Sequence, residues 1–258
     1  MTAQTEPTAH TYDSLFYQYQ REGAIRSART LLPPLIRVLG VKSVLDVGCG
    51  AAAWLAAYRD LGVTDCIGVD GEYVDRSLLL IDKDRFHPRD ITRPFDFARQ
   101  FDLVQCLEVA EHVPTAMSDT LVDNIVRHGR RVLFSAAVPG QGGEDHINEQ
   151  SYEFWRDRFA ARSYHLYDFV RPAVVDNEAI EPWYRYNVLL FVHDSAAKAL
   201  PAEVAATRVP DASPIRDYSP LPYRLRKALL RSLPDGAVSA LAVWKHKLAV
   251  RSLQRKAT

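Results

Sequence analysis

Short apolar runs recur along the chain up to His193, and stretches with helical spacing separate them. Five continuous runs predict buried strands, the third of them weakly: SVLDVG, CIGVD, FHPRDI, FDLVQCLE and RVLFSAAV. Two later runs, YHLYDFV and YNVLLFVH, predict closing strands that can form an antiparallel end. This alternation predicts an α/β fold with a doubly wound, mostly parallel, seven-stranded sheet over residues 41–193.

Four stretches between these runs have the spacing of helices. They are AAAWLAAYRDLG, which Gly62 closes, EYVDRSLL, MSDTLVDNIVRHG, which Gly129 closes, and NEQSYEFWRDRFAARS, for which Asn148 is a candidate N-cap. Residues 1–40 stand apart from this core. They predict an N-terminal helical lid over residues 12–40, broken at Gly23 and at Pro33–Pro34.

The alternating pattern stops after His193. Residues 194–220 are rich in proline and predict a linker or an extended wrap. Residues 221–258 predict a basic tail of two helices. The first places Leu221, Leu225, Ala228 and Leu229 opposite Arg224, Lys227 and Arg231, and the second begins near Ala237 with a stripe of Leu241, Trp244 and Leu248.

Composition narrows the class of protein. The 258 residues are 47% apolar and 25% charged, which permits a full core. The first residues lack a cationic and apolar leader, and no apolar run reaches the roughly 18 residues of a membrane span. The cysteines (Cys49, Cys66 and Cys106) are far apart and have no metal spacing, so they are expected to be reduced thiols. We therefore expect a cytoplasmic protein.

Charge is sorted along the chain although the net charge is zero. Residues 194–258 carry 12 Lys and Arg against 5 Asp and Glu, and the preceding 193 residues carry 20 against 27. Such a tail can pack on the acidic body, including as a bridge in a homodimer, lie on an anionic membrane surface, or bind nucleic acid. Its imperfect apolar stripes and the opposite charge of the body favour packing, and nucleic acid is the least favoured partner.

The turn after the first strand, DVGCGAAA, is typical of a cofactor loop. Gly48 and Gly50, followed by Ala53, satisfy a relaxed dinucleotide pattern, and Asp70 lies at the distance of a ribose-binding acid. A nicotinamide or flavin enzyme would fit that pattern. Asp46 argues against it, because its carboxylate would repel a pyrophosphate at this turn. A cofactor with a sulfonium and an ammonium suits the acid better.

The successive motifs VLDVGCGAAAW, IGVDG, RDIT and FDLVQCLEVAEHVP resemble those of class I S-adenosylmethionine-dependent methyltransferases over residues 40–140. The resemblance implies a Rossmann-like fold and a set of cofactor residues: Asp46, Gly48 and Gly50 at the methionine end, Asp70 and Gly71 at the ribose, Asp90 and Ile91 at the adenine, and Leu107 and Glu108 at the outer edge. The usual third glycine of the loop is Ala52 here, which is tolerable if its φ stays negative.

Methyl transfer to a hydroxyl needs a group that takes the proton, and histidine is the default candidate. His112 directly follows the fourth strand, at the edge where an α/β sheet opens its crevice. We expect it to be the general base, oriented by Glu111 or Glu108. The alternative is that His112 packs the turn before Pro114.

The loop PGQGGEDHINEQ after the fifth strand is expected to line the acceptor pocket through Gln141, His146 and Glu149, with His146 as a second candidate for proton transfer. A metal held by residues 144–146 is not expected, because adjacent ligands rarely converge and displacement at a sulfonium needs no Lewis acid.

The two ends of the domain offer further candidates. Arg26 could bind the carboxylate of the cofactor, and Tyr17 and Tyr19 could close over it, although a surface helix with buried aromatics explains the same pattern. Tyr184, in a predicted loop EPWYRYN, is a pocket wall or part of the core.

The sequence thus predicts an S-adenosylmethionine-dependent methyltransferase of a small-molecule acceptor, O-methylation before N-methylation. The segments DSLFYQYQREGAIRSAR and PGQGGEDHINEQSYEFW resemble a bacterial subgroup associated with glycan and natural-product pathways. A natural-product intermediate is the first choice of acceptor, and a glycan precursor near the membrane is the second. A nicotinamide-dependent oxidoreductase and a non-catalytic cofactor-binding protein are the alternatives from other classes.

Overall fold

The computed structural model describes residues 14–233, with side chains from residue 21. The side chains of Tyr17 and Tyr19 and the second predicted tail helix therefore lie outside the described residues. Seven strands form one sheet: β1 (Ser43–Val47), β2 (Asp65–Asp70), β3 (Phe86–Pro88), β4 (Leu103–Leu107), β5 (Arg131–Ser135), β6 (Tyr164–Tyr167) and β7 (Leu189–His193). Their order is β3-β2-β1-β4-β5-β7-β6.

The sheet has the predicted topology. Strands β3, β2, β1, β4 and β5 are parallel, and β7 runs antiparallel to both β5 and β6. The chain order reverses between β1 and β4, and this is the point where an open α/β sheet leaves a crevice at the carboxyl ends of its strands. Asp46 on β1 lies opposite Gly68 of β2 and Gln105 of β4, so the motif residues meet at this edge.

The helices are α1 (Ser14–Leu39), α2 (Ala53–Asp60), α3 (Ser118–Arg127), α4 (Tyr152–Ala160), α5 (Arg171–Val174), α6 (Pro182–Asn187), α7 (Asp194–Ala197), α8 (Ala202–Ala205) and α9 (Leu221–Arg231). Two apolar clusters cover the two faces of the sheet, one built with α1 and α2 and the other with α3 and α4. Within residues 14–233, no helix combines the length and the apolar character that crossing a membrane requires.

The predicted breaks in the N-terminal helix are absent. α1 continues through Gly23 and through Pro33 and Pro34. Both prolines are exposed, so the carbonyls whose hydrogen bonds they remove face solvent. The opposite side of the helix buries Leu31, Leu32 and other residues in the core, and this packing outweighs the propensity for a break.

The predicted helix over EYVDRSLL is also wrong, because turns occupy this stretch. The Asp75 carboxylate accepts hydrogen bonds from the N–H and the hydroxyl of Ser77, at 2.8 and 2.7 Å. A local bond of this kind competes with helix formation. Conversely, the predicted loop EPWYRYN contains α6, which begins with Pro182 at its first position.

The helix α4 is shorter than predicted, and its N-cap is Ser151, whose side chain accepts from the Phe154 N–H, rather than Asn148. Beyond β7, the predicted linker includes α7 and α8 and then follows the sheet edge. Val209 N–H donates to the Leu166 carbonyl of β6, and Ile215 is buried against the second cluster. This segment is an extended wrap that leads to α9.

Candidate active site

The loop between β1 and α2 has the backbone conformation that its glycines permit. Gly48 and Gly50 have φ of 82° and 52°. A Cβ on Gly48 would lie 2.4 Å from a methyl group of Val109, so only glycine lets the loop after β4 approach, whereas the Cβ position on Gly50 is open. The expectation for Ala52 is wrong: its φ is 64°, in the left-handed region, at the N-cap of α2. Ala52 is completely buried in the core, which holds it there.

Asp46 lies beneath this loop and is 3% exposed. Burial raises its pKa to about 7, the Gln105 side chain opposes this rise, and the charge of Asp70 adds to it. A cationic group bound beside Asp46 would favour the ionised carboxylate. The ammonium of a methionine-like ligand therefore suits this position.

Asp70 links the two glycine turns. Its Oδ2 accepts from the Gly50 N–H at 2.7 Å, and its Oδ1 accepts from the Gly71 N–H at 2.7 Å and from the Tyr73 hydroxyl. Tyr73 was not among the predicted site residues. Its side chain is 83% exposed, so a ligand diol can replace this hydroxyl on Asp70. Asp46 below the glycine loop suits the ammonium of an aminoacyl nucleoside, and Asp70 beside the loop suits its ribose diol.

Three residues predicted to contact the cofactor, Asp90, Ile91 and Arg26, bond to other residues of the fold. Asp90, after β3, accepts from the Thr92 N–H at 3.0 Å and pairs with Arg93 at 3.2 Å. The carbonyl of Ile91 accepts from the Asn124 side chain. Arg26 pairs with Glu181, and its Nε donates to the Ala179 carbonyl, so it ties α1 to the segment before α6. The structure thus gives Arg26 a structural contact where the sequence suggested a cofactor contact.

Leu107 ends β4 and is buried, and Glu108 follows with a φ of 54°. This strained conformation directs the next residues to the crevice, as is common at functional sites. The Glu108 carboxylate accepts from Gln141 Nε2 at 3.0 Å and Asn187 Nδ2 at 3.4 Å, and the same Asn187 nitrogen lies 2.8 Å from Gln141 Oε1. Asn187, which the sequence did not single out, completes this polar triangle.

His112 and His146, from the loops after β4 and β5, meet with ring centroids 5.0 Å apart. His112 Nδ1 lies 3.2 Å from the carbonyl of Asp145, and His146 Nδ1 lies 2.8 Å from Glu149. Because both partners are acceptors, each Nδ1 carries a hydrogen, and in the neutral form of the ring each Nε2 carries the lone pair. Neither Glu111 nor Glu108 bonds to the His112 ring, so the orienting group is the Asp145 carbonyl.

The charge states of His112 and Glu149 follow from their surroundings. Burial, and then the neighbouring His146, lower the pKa of His112. Burial opposes ionisation of Glu149, but hydrogen bonds from His146 and from the N–H groups of Gly142 and Gly140 lower its pKa overall. At neutral pH, His112 is therefore a neutral imidazole that can accept a proton.

Glu111 lies behind the histidines and is 1% exposed. Its main-chain carbonyl accepts from Ile147 and Asn148 and thereby holds the two loops together. Burial, and then the charge of Glu108, raise the pKa of the Glu111 carboxyl well above its usual value. Within residues 21–233, its Oε2 has no hydrogen-bond partner.

The helix α9 covers the loop that carries Gln141. Arg226 donates to the Gln141 carbonyl at 2.9 Å, and Arg231 donates to the Pro139 carbonyl at 2.7 Å. Lys227 is buried and pairs with Asp217 at 2.7 Å. Arg226, Lys227 and Arg231 of this helix therefore contact the rest of the protein. The leucines of α9 face outward, and Leu221, Leu225 and Leu229 are 60, 62 and 66% exposed.

Tyr184 lies on α6, buried, with its ring 4.9 Å from that of Trp54 on α2. This contact packs α6 against α2, and the buried position of Tyr184 is compatible with both a pocket wall and the core.

The raised pKa of Asp46 gives a stability prediction with a definite sign. The folded protein keeps this proton up to about pH 7, whereas the unfolded chain loses it near the ordinary value of 3.8, so the contribution is present at low pH and lost as the pH rises through 7. Relative to the unaltered protein, Asp46→Asn should gain about 3 kcal/mol in free energy of unfolding between about pH 5 and about pH 8. Urea unfolding at both pH values measures this gain.

The matched control is Asp75→Asn, because Asp75 is exposed and its bonds to Ser77 lower its pKa. This variant should show no gain as the pH rises. An effect of Asp46→Asn that is equal at both pH values would contradict the buried state of Asp46.

The chain is similar to known methyltransferases in sequence. A model of methyltransferase domains matches residues 17–168. The ribosomal protein L11 methyltransferase of Laribacter hongkongensis is 30% identical over 113 residues, which are 42% of this chain and 36% of that protein. The chain thus aligns with about a third of that curated relative.

Solved structures share the fold at low identity. The sugar N-methyltransferase KedS8 from Streptoalloteichus is 18% identical with a TM-score of 0.55, covering 75% of this chain and 96% of its own. DesVI from Streptomyces venezuelae is 13% identical with a TM-score of 0.54, covering 73% and 100%. The amino pentose methyltransferase CalS10 from Micromonospora echinaspora, solved with S-adenosylmethionine bound, is 15% identical with a TM-score of 0.50, covering 73% and 100%.

The family match decides against the nicotinamide-dependent alternative. Because the matched region, residues 17–168, is more than half of the chain, the protein belongs to the class I methyltransferases and uses S-adenosylmethionine as its cofactor.

Proposed function

We propose that this methyltransferase methylates a hydroxyl group of a small polar acceptor, and that a natural-product intermediate is the class of acceptor. The observation that supports this most directly is the neutral imidazole of His112, which lies 5.0 Å from the ring of His146 between the loops after β4 and β5. An amine needs only to be unprotonated, but a hydroxyl must lose its proton as the new bond forms, and this imidazole addresses that requirement.

The chain has limited chemistry to perform. When bound, S-adenosylmethionine supplies a methyl group that the sulfonium already activates, so the protein must bind, orient and deprotonate the acceptor. His112, Glu111 and His146 meet where the acceptor oxygen is expected. When no metal ion is bound at these residues, the lone pair of His112 takes the proton of the acceptor hydroxyl, as the sequence predicts.

The polar triangle of Glu108, Gln141 and Asn187 supports an acceptor with several hydroxyl groups. Its carboxylate accepts and its amides donate, so an acceptor with neighbouring hydroxyls can form bonds of both kinds. Each of these side chains is buried or nearly so, and buried polar groups discriminate strongly against acceptors that leave them unpaired. We assign Gln141 to the acceptor side on this basis, and Glu149 because it holds the ring of His146.

A glycan precursor near the membrane is the second candidate acceptor, and the outward leucines of α9 favour it. Leu221, Leu225 and Leu229 lie on one exposed face, and Arg224 is exposed beside them. Apolar side chains flanked by arginine are typical of helices that lie on anionic membranes. The same helix contacts the acceptor loop, so a membrane-bound acceptor could reach the site.

Methylation assays with S-adenosylmethionine test the two candidates together. We expect release of S-adenosylhomocysteine with soluble polyhydroxylated acceptors, and an O-methyl product in the mass spectrum and the carbon NMR spectrum. Turnover only with lipid-linked sugars in anionic vesicles, reduced by Leu225→Asp, would select the second acceptor. An N-methyl product, or no turnover with any hydroxyl acceptor, would contradict the proposal.

A further inference from the structure

The three side chains expected to act on the acceptor also form a set of metal ligands. Glu111, His112 and His146 each offer one ligand atom, and these atoms lie within 4.8 Å of one another. They come from two loops that the carbonyl of Glu111 joins. We propose that these residues bind a divalent first-row transition cation, and that this cation contacts the acceptor hydroxyl.

Both imidazoles are prepared as ligands. The carbonyl of Asp145 and the carboxylate of Glu149 hold the Nδ1 hydrogens of His112 and His146, at 3.2 and 2.8 Å, which leaves each Nε2 as a donor atom with a lone pair. Metal-binding histidines almost always have such a partner on the second nitrogen, because it fixes the tautomer and the ring orientation. Two backbone N–H groups, from Gly140 and Gly142, fix Glu149 in turn, each at 2.7 Å.

Glu111 supplies the independent observation. Glu111 is only 1% exposed, yet its Oε2 has no hydrogen-bond partner within residues 21–233. An unsatisfied buried carboxyl oxygen is costly, and native proteins rarely retain one without a purpose. A cation between Glu111 and the histidines would satisfy this oxygen. Of the three ligands, only His146 lies within residues 144–146, where the sequence predicts no metal; Glu111 and His112 come from the loop after β4.

The donor set indicates the kind of cation. Two imidazoles and one carboxylate suit Mn²⁺, Fe²⁺, Co²⁺ or Zn²⁺ with open positions, whereas Mg²⁺ and Ca²⁺ prefer oxygen ligands. A hydroxyl on an open position loses its proton more readily because the cation lowers its pKa. The proton then leaves to water, the oxygen–methyl bond forms, and the sulfur–methyl bond breaks. This step rests on the proposed function, and with the cation present His112 is a ligand rather than the base.

Titration of the full chain with CoCl₂, after treatment with EDTA and desalting, tests the site. We expect one Co²⁺ per chain by calorimetry, with visible d–d absorption. Glu111→Gln and His146→Ala should weaken binding at least tenfold. The matched control His193→Asn, at a histidine bonded to Ser195, should bind like the unaltered protein. In the unaltered protein, substoichiometric Mn²⁺ should broaden the ring signals of two of the eight histidines.

The outcomes separate the two proposals. Absence of Co²⁺ binding, or binding that His146→Ala and Glu111→Gln leave unchanged, overturns the cation site and returns His112 to the role of base. If either variant fails to fold, the Mn²⁺ experiment on the unaltered protein decides: when no histidine ring signal broadens, the cation site is overturned. Binding of S-adenosylhomocysteine to the same samples reports on the methyltransferase site independently of the metal.

Discussion

Asp70→Ala is expected to weaken binding of S-adenosylhomocysteine at least about 100-fold. In the structure this carboxylate spans Gly50 and Gly71, and the resemblance assigns it to both ribose hydroxyls. A hydrogen bond to a charged group contributes about 1.5–3 kcal/mol, so losing two of them accounts for about two orders of magnitude. Isothermal titration calorimetry measures the dissociation constant directly.

Two matched variants make this result specific. Asp75→Ala removes an exposed carboxylate that bonds to Ser77 in the same turn, and it should leave the affinity unchanged. Tyr73→Phe removes the hydroxyl that occupies Asp70 Oδ1, and it should tighten binding because the ribose no longer competes with it. Equal affinities of Asp70→Ala and the unaltered protein would contradict the assignment of the ribose site, provided that both show the same cooperative thermal unfolding.

The strands and the acids at their ends were predictable from the sequence because a buried parallel strand leaves a strong local signal. Each apolar run ends in a turn, and parallel strands bring their carboxyl ends to one edge, so Asp46 and Asp70 had to be close. The antiparallel position of β7 followed from the same pattern. These features depend on residues that are near one another in the chain.

The errors have a common cause in tertiary contacts. The prolines of α1 predicted a break, but the helix is held by leucines that pack on α2 and the sheet. Ala52 keeps a left-handed φ because the core encloses it. In EYVDRSLL a local contact outweighed the helical pattern. The Ser77 N–H bonds to the Asp75 carboxylate, and the stretch has no buried face that would hold a helix on the core. The inward contact of Arg226 on α9 depends on a carbonyl of a loop about 85 residues away.

The candidate residues of the site could be named one by one from the sequence, but their arrangement could not. The sequence identified His112, Glu111 and His146 singly, and nothing in their spacing indicates that the loop after β5 folds back to place His146 against His112. The backbone bonds from Ile147 and Asn148 to Glu111 make this contact. Asn187 was missed because an amide in a short helix before a strand has no local signature.

In protein freed of metal with EDTA, where His112 is proposed to act as the base, His112→Ala is expected to lower kcat about 10²- to 10⁴-fold and to leave the affinity for S-adenosylhomocysteine unchanged. The His112 imidazole lies after β4 with its Nδ1 on the Asp145 carbonyl, whereas the acids predicted to bind the cofactor lie on β1 and β2. Steady-state kinetics with a hydroxyl acceptor, together with calorimetry, separates these effects. His193→Ala is the control, since this histidine bonds to Ser195 at the end of β7 and should retain full activity.

The pH profile distinguishes a role in chemistry from a role in packing. Because burial and His146 lower the pKa of His112, the neutral form persists below the usual histidine range, and kcat/KM of the unaltered protein should fall only below about pH 6.5. The variant should lose this acid limb. If His112→Ala lowered kcat and kept the limb, or lost activity only in proportion to unfolded protein, the side chain would be packing the turn before Pro114. Retention of full activity would contradict the catalytic assignment altogether.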